Sequence, residues 1–141
     1  MQLGFAIFVS SMLMAIAAVH VYWAFGGAWP ASERAELPQT VVGTQGSHMP
    51  KKAVTLAVAF MIFLAALVPL IWTRVLPVLL PQALQVLALW GLVAIFLGRG
   101  LVTYTPLADH YSTVEPFRTL DRKYYSPLCL LLGLSLMGVA L

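Results

Sequence analysis

The apolar residues of this chain fall into long, nearly unbroken runs, and the charges, most prolines and most polar residues are gathered between them. A helix crossing a bilayer needs about 20 predominantly apolar residues, because lipid meets it on every side. By that measure the chain predicts four spans, over residues 3–25, 53–72, 82–104 and 127–141. The first run also contains Ala15-Ile16-Ala17, a cleavage-like site. No basic residue precedes the run, however, and its apolarity continues past that site, so it is expected to be a retained helix rather than a signal peptide.

The segments between the runs carry their own signals. Residues 26–52 hold Pro30, Pro38 and Pro50, with a short interfacial helix expected over 32–37 and Ser32 as its cap. Pro69 is expected to kink or end the second span. Residues 73–81 form a tight connection, which makes spans two and three antiparallel neighbours. Pro81 suits a helix start, and Gly91, Gly98 and Gly100 suit close helix approach in lipid. Ser126-Pro127 reads as cap and first residue of a last span that would be only about 22 Å long. Its end would then lie shallow, or the bilayer would thin around it.

Composition agrees with this pattern. Of 141 residues, 61% are hydrophobic and 9% charged, too few charges to cover the surface of a water-soluble chain of this size. The fold class is therefore all-α, an integral-membrane four-helix bundle in a single domain. The net charge of +3 does not indicate nucleic acid, because the basic residues form juxtamembrane clusters that face anionic lipid. Residues 26–52 and 105–125 carry Arg34, Lys51, Lys52, Arg118, Arg122 and Lys123, whereas the opposite side has Arg74. By the positive-inside rule both long segments are cytoplasmic, and both termini lie on the other side.

The candidate chemistry is a matter of depth. His20 and Arg99 each lie about 8 Å inside the cytoplasmic end of their spans, counted at the helical rise. Thr55 and Cys129 sit about one turn inside theirs. A bundle would bring these residues into one layer, with Tyr22, Trp23 and Trp29 from one segment and Asp109, His110, Asp121, Tyr124 and Tyr125 from the other above it. Ionisable groups in a membrane segment are costly, so they point to a site or a partner. Arg99 has two open readings, ligand binding or structural pairing with Asp109 or Asp121. His20 can bind, transfer protons or only bridge helices. The tyrosines and tryptophans also suit a membrane-interface belt, and Cys129 also suits simple packing.

Other chemistries lack their residues. A haem held between helices needs an axial ligand on a second span, and only His20 lies in one. No zinc spacing, nucleophile elbow or phosphate loop occurs, and the middle of the spans is aliphatic, without the carboxylates of an ion-coupled transporter. No cofactor or metal is expected.

Tyr22-Trp23-Ala24-Phe25-Gly26-Gly27, Leu37-Pro38, Pro50-Lys51 and Asp121-x-x-Tyr124-Tyr125-Ser126-Pro127-Leu128-Cys129-Leu130 together resemble one family over nearly the whole chain. It is a bacterial family of small four-helix membrane proteins, domain of unknown function 3995. The resemblance implies four membrane helices in the bacterial cytoplasmic (inner) membrane and no established activity. The expectation is thus a binding or accessory protein with a polar pocket at the cytoplasmic end of the bundle. It would hold a lipid, a quinone-like molecule or a small metabolite, or dock on a larger membrane complex or a second copy. An intramembrane enzyme using His20 as general acid/base, or a minimal oligomeric transporter, are the alternatives.

Overall fold

The computed structural model describes residues 1–44, 48–108 and 114–141. These residues are helical or irregular, with no strand among them, and four helices are long and apolar enough to cross a membrane. They are α1 (Gln2–Ala24), α2 (Lys52–Trp72), α3 (Gln82–Val102) and α4 (Phe117–Ala140).

Helix α1 ends where its sequence supplies a left-handed residue. Gly26 has φ +106°, its N–H donates to the Trp23 carbonyl at 3.1 Å, and the Gly27 N–H reaches back to the Tyr22 carbonyl at 3.0 Å. This paired closure satisfies carbonyls that the last turn leaves open, and only glycine adopts that φ without strain. The Tyr22 ring occupies the space a Cβ on Gly27 would need. Lys52 then holds its ammonium 3.9 Å from the centre of the Phe25 ring, tying the start of α2 to the end of α1.

The order of packing is α2, α1, α4, α3. Helix α2 lies chiefly along α1, α3 chiefly along α4, and α1 and α4 join the two pairs. The expected close pairing of α2 with α3 is weak by comparison, although a short connection joins them. The side chains explain the choice. The buried positions of α2 are Thr55, Ala59, Ala66 and Pro69, and those of α1 include Ala6, Ser10 and Ala17, so the two backbones approach closely. Along the α3–α4 seam, Gly100 lies under Leu130 and Gly133 under Leu97, a register that runs antiparallel. Gly91 and Gly98, also expected at a helix seam, have open space where a Cβ would stand. At the centre Val9, Leu13, Leu89, Val93, Leu132 and Leu136 form the core. Outward-facing Phe60, Leu87, Ile95 and Leu134 are exposed, as suits helices whose outer solvent is hydrocarbon.

Three local expectations change. Pro69 lies within α2 and does not end it, since the helix continues to Trp72, and the Thr73 hydroxyl donates to the Pro69 carbonyl at 2.8 Å. Residues 32–36 form bends and turns rather than a helix capped by Ser32, and the helical turn comes later, as a wide π turn over Pro38–Val42. Proline lacks the N–H needed inside a helix but is tolerated in its first turn, so the turn starts at Pro38 instead of continuing through it. The last helix starts at Phe117, ten residues before Pro127. Ser126 and Pro127 sit inside it, just after a π turn over Asp121–Tyr125, so the helix is longer than the apolar run predicts.

Candidate functional site

The π turn of α4 is the element that sets the site. Widening one turn to an i→i+5 bond, the Ser126 N–H to the Asp121 carbonyl, turns Asp121 and Ser126 toward the last turn of α3. There the Arg99 Nη2 donates to Asp121 Oδ1 at 2.7 Å, and Nη1 lies 3.4 Å from Oδ2. The Asp121 side chain is 2% exposed and that of Arg99 40%. Thr103, one turn after Arg99, accepts from its Nη1 at 3.0 Å and donates its own proton to Asp121 Oδ2 at 2.8 Å. The Ser126 hydroxyl donates to Thr103 Oγ1 at 2.7 Å and lies 3.2 Å from Asp121 Oδ1. A buried carboxylate is tolerable only when its charge is paired and its lone pairs are occupied, and here both conditions hold.

The same turn creates a second bond. Arg122 would ordinarily give its carbonyl to the N–H of residue 126 or 127. Ser126 donates to Asp121 instead, and Pro127 has no N–H. The Tyr104 hydroxyl takes that place, donating to the Arg122 carbonyl at 2.9 Å. A cavity of about 310 Å³ lies beside it, lined by Tyr104, Thr105, Arg118 and Arg122 among others.

The first connecting segment closes over the other side. Gly43, at φ +79°, ends the π turn over Pro38–Val42, and its N–H donates to the Pro38 carbonyl at 2.9 Å. The Phe117 ring lies where a Cβ on Gly43 would be, 2.6 Å from its nearest atom. Phe117 also packs on Tyr125, ring centres 5.9 Å apart, and the Tyr125 hydroxyl donates to the Thr40 carbonyl at 3.1 Å. Val41 and Val42 are thereby held as a lid over the helix ends.

Beneath this lid is a cavity of about 570 Å³. Its walls include His20 from α1, Thr55 from α2, Arg99 from α3 and Cys129 from α4, the layer that depth along the spans predicts. Trp23, Phe117 and Tyr125 also line it, and Val54, Val58 and Ile62 of α2 form an aliphatic wall. The His20 Nδ1 lies 2.8 Å from the Ile16 carbonyl. That carbonyl only accepts, so Nδ1 is the donor in this bond. The imidazole packs on Trp23 with ring centres 4.8 Å apart, and the Trp23 indole N–H donates to the Trp29 carbonyl at 2.6 Å.

Not every predicted residue joins the site. Tyr22 and Tyr124 are exposed outside the cavity, Tyr124 with Lys123 Nζ 5.3 Å from its ring centre. The Trp29 ring is exposed as well, so only its carbonyl participates. Asp109 and His110 lie outside the described residues. Of the two carboxylates weighed as Arg99's partner, Asp121 is bound to it. Sequence reasoning passed over Thr103 and Ser126, which complete the pair. The available signal was their spacing, Thr103 one turn beyond Arg99 and Ser126 five residues beyond Asp121, which identifies them only if the π turn is known.

Helix lengths, outward apolar surface and a polar cluster at one end define an all-helical protein of the membrane-spanning class. The family described as a protein of unknown function (DUF3995) matches residues 13–136, and the chain belongs to it. Comparison with curated proteins and with solved structures finds no match.

Proposed function

We propose that this chain is a multi-pass protein of the bacterial cytoplasmic membrane that binds a small molecule at the cytoplasmic end of its bundle, as a binding or accessory protein. The observation that carries this reading is the convergence of His20, Thr55, Arg99 and Cys129, one from each helix, on a single cavity of about 570 Å³. Such a volume falls within the range of small-molecule sites, and such sites in helical bundles are built from side chains on facing helices. The sidedness follows from Lys51, Lys52, Arg118, Arg122 and Lys123, which flank the cavity end of the helices.

The enzymatic alternative has less support. It requires Asp109 or Asp121 to orient the acid/base partner. Asp109 lies outside the described residues, and the oxygens of Asp121 accept from Arg99 and Thr103, with the Ser126 hydroxyl 3.2 Å from Oδ1. The ring of His20 is held by the Ile16 carbonyl through Nδ1.

Native mass spectrometry of the protein released gently from its own membranes tests the reading. A stoichiometric small-molecule adduct is expected, and Cys129→Trp, which fills the cavity, is expected to abolish it. A chain that arrives bare, or an adduct indifferent to Cys129→Trp, counts against the pocket. Co-migrating polypeptides with no small-molecule adduct would make docking on a larger complex the function instead.

A further inference from the structure

We propose that the cavity takes a membrane-borne amphiphile with an anionic head of the phosphate or carboxylate type, admitted sideways from the bilayer between α2 and α3 and held by Arg99. This rests on the reading that the cavity is a binding site. The first observation concerns the two edges of the guanidinium. Asp121 faces the Nη1 and Nη2 end, with Nη2 to Oδ1 at 2.7 Å and Nη1 to Oδ2 at 3.4 Å. The other edge, formed by Nε–H and the second N–H of Nη2, makes no hydrogen bond among the described residues, and Arg99 lines the cavity with its side chain 40% exposed. A guanidinium edge is a two-donor fork matched to an oxyanion. A quinone carbonyl or a neutral hydroxyl does not use both donors in that way. Among the described residues, none of those lining the cavity is a carboxylate that would compete for the fork.

The second observation concerns the way in. Helices α2 and α3 spend their packing surfaces on α1 and α4 and touch each other little. The cavity takes part of its lining from each of them, Val54, Thr55, Val58 and Ile62 from α2 and Arg99 from α3. The α2 wall is Val54, Val58 and Ile62, successive at i, i+4 and i+8 and so on one face of the helix. Val54 and Val58 are half exposed on a helix whose surroundings are lipid, so this aliphatic stripe runs from the cavity to the bilayer. A free soluble anion would satisfy the fork but leave this stripe bare, whereas an amphiphile covers both and leaves its tail in the membrane.

The test titrates the delipidated full chain in detergent, read by native mass spectrometry, with four probes in turn. They are dioleoyl phosphatidylglycerol, dioleoylglycerol (the same tails without the oxyanion), decylubiquinone and glycerol 3-phosphate. One phosphatidylglycerol per chain is expected, held in preference to the other three. Arg99→Lys keeps a cation for Asp121 but loses the second edge, and the loss of one charge-assisted bond should weaken phosphatidylglycerol binding roughly tenfold. Val58→Trp obstructs the stripe at a distance from the ion pair and should lower binding as well, which keeps the test decisive if Arg99→Lys folds poorly. Equal binding of dioleoylglycerol or decylubiquinone overturns the anionic head and leaves the cavity reading standing. Equal binding of glycerol 3-phosphate overturns entry from the membrane. Binding untouched by both Val58→Trp and Cys129→Trp overturns the cavity reading itself. Failure of all four probes to bind overturns the amphiphile.

Discussion

Arg99 on α3 and Asp121 on α4 meet at 2.7 Å, and the π turn over Asp121–Tyr125 is what brings them together. The pair joins two helices at the end of the bundle where the cavity lies, so its integrity bears on stability and on the shape of the site together.

Arg99→Met is expected to lower stability by about 2–3 kcal/mol, since it strands a buried carboxylate. The figure stays moderate because Arg99 is 40% exposed and because Thr103 still donates. Asp121→Leu added to Arg99→Met should recover part of the loss, since removing both partners relieves the stranded charge. Unfolding in mixed detergent micelles measures the cycle. Strict additivity would mean the two residues do not depend on each other.

The glycines of α3 and α4 should sort by what lies above them. A Cβ at Gly100 would come within 2.6 Å of Leu130 Cγ and 3.0 Å of its backbone nitrogen, and one at Gly133 would meet Leu97 in the same way. Gly100→Ala and Gly133→Ala are each expected to cost about 1–3 kcal/mol by forcing the seam apart. Gly91→Ala and Gly98→Ala meet nothing within 4 Å and should leave the melting temperature of the monomer unchanged or slightly raised. The same rank for all four would contradict the α3–α4 seam.

Tyr104→Phe removes a donor to the Arg122 carbonyl and should cost about 1 kcal/mol or less, given the exposure of Tyr104. The cost should shrink in a Pro127→Ala background, where an N–H returns to the turn. Equal losses in both backgrounds, read by thermal unfolding, would break the link between that hydroxyl and the missing proline donor.

Ser10 on α1 is buried, and its Oγ has no hydrogen-bond partner among the described residues. Ser10→Ala is expected to raise stability by about 1 kcal/mol, because it removes an unsatisfied polar group from the α1 packing surface. A clear loss of stability in the same unfolding assay would show that the hydroxyl has a partner after all.

Much of this molecule is legible along the chain because crossing a membrane is a one-dimensional property. Continuous apolarity marks each helix, and Gly26-Gly27 marks the end of α1 by backbone freedom alone. Depth is equally one-dimensional, because a helix rises by a constant amount per residue. That is why counting inward from the span ends placed His20, Thr55, Arg99 and Cys129 in one layer, and the cavity contains all of them.

Rotation about a helix axis is another matter. In a soluble protein the polar face tells which side of a helix packs, but here both the lipid side and the core side are apolar. Nothing local could therefore say that Gly100 meets Leu130 while Gly98 faces open space, or that α2 prefers α1 to α3. The choice of Asp121 as the partner of Arg99 was equally out of reach. It depends on a π turn that spends one helical bond on a different register, and that change is favourable only because Arg99, Thr103 and Ser126 receive the carboxylate. The sequence by itself determined the four long helices, the end of α1 and the depth of the polar layer. Which faces meet, and how the ion pair and the cavity arise from that meeting, was decided by tertiary packing, because in lipid only contact between surfaces distinguishes one apolar face from another.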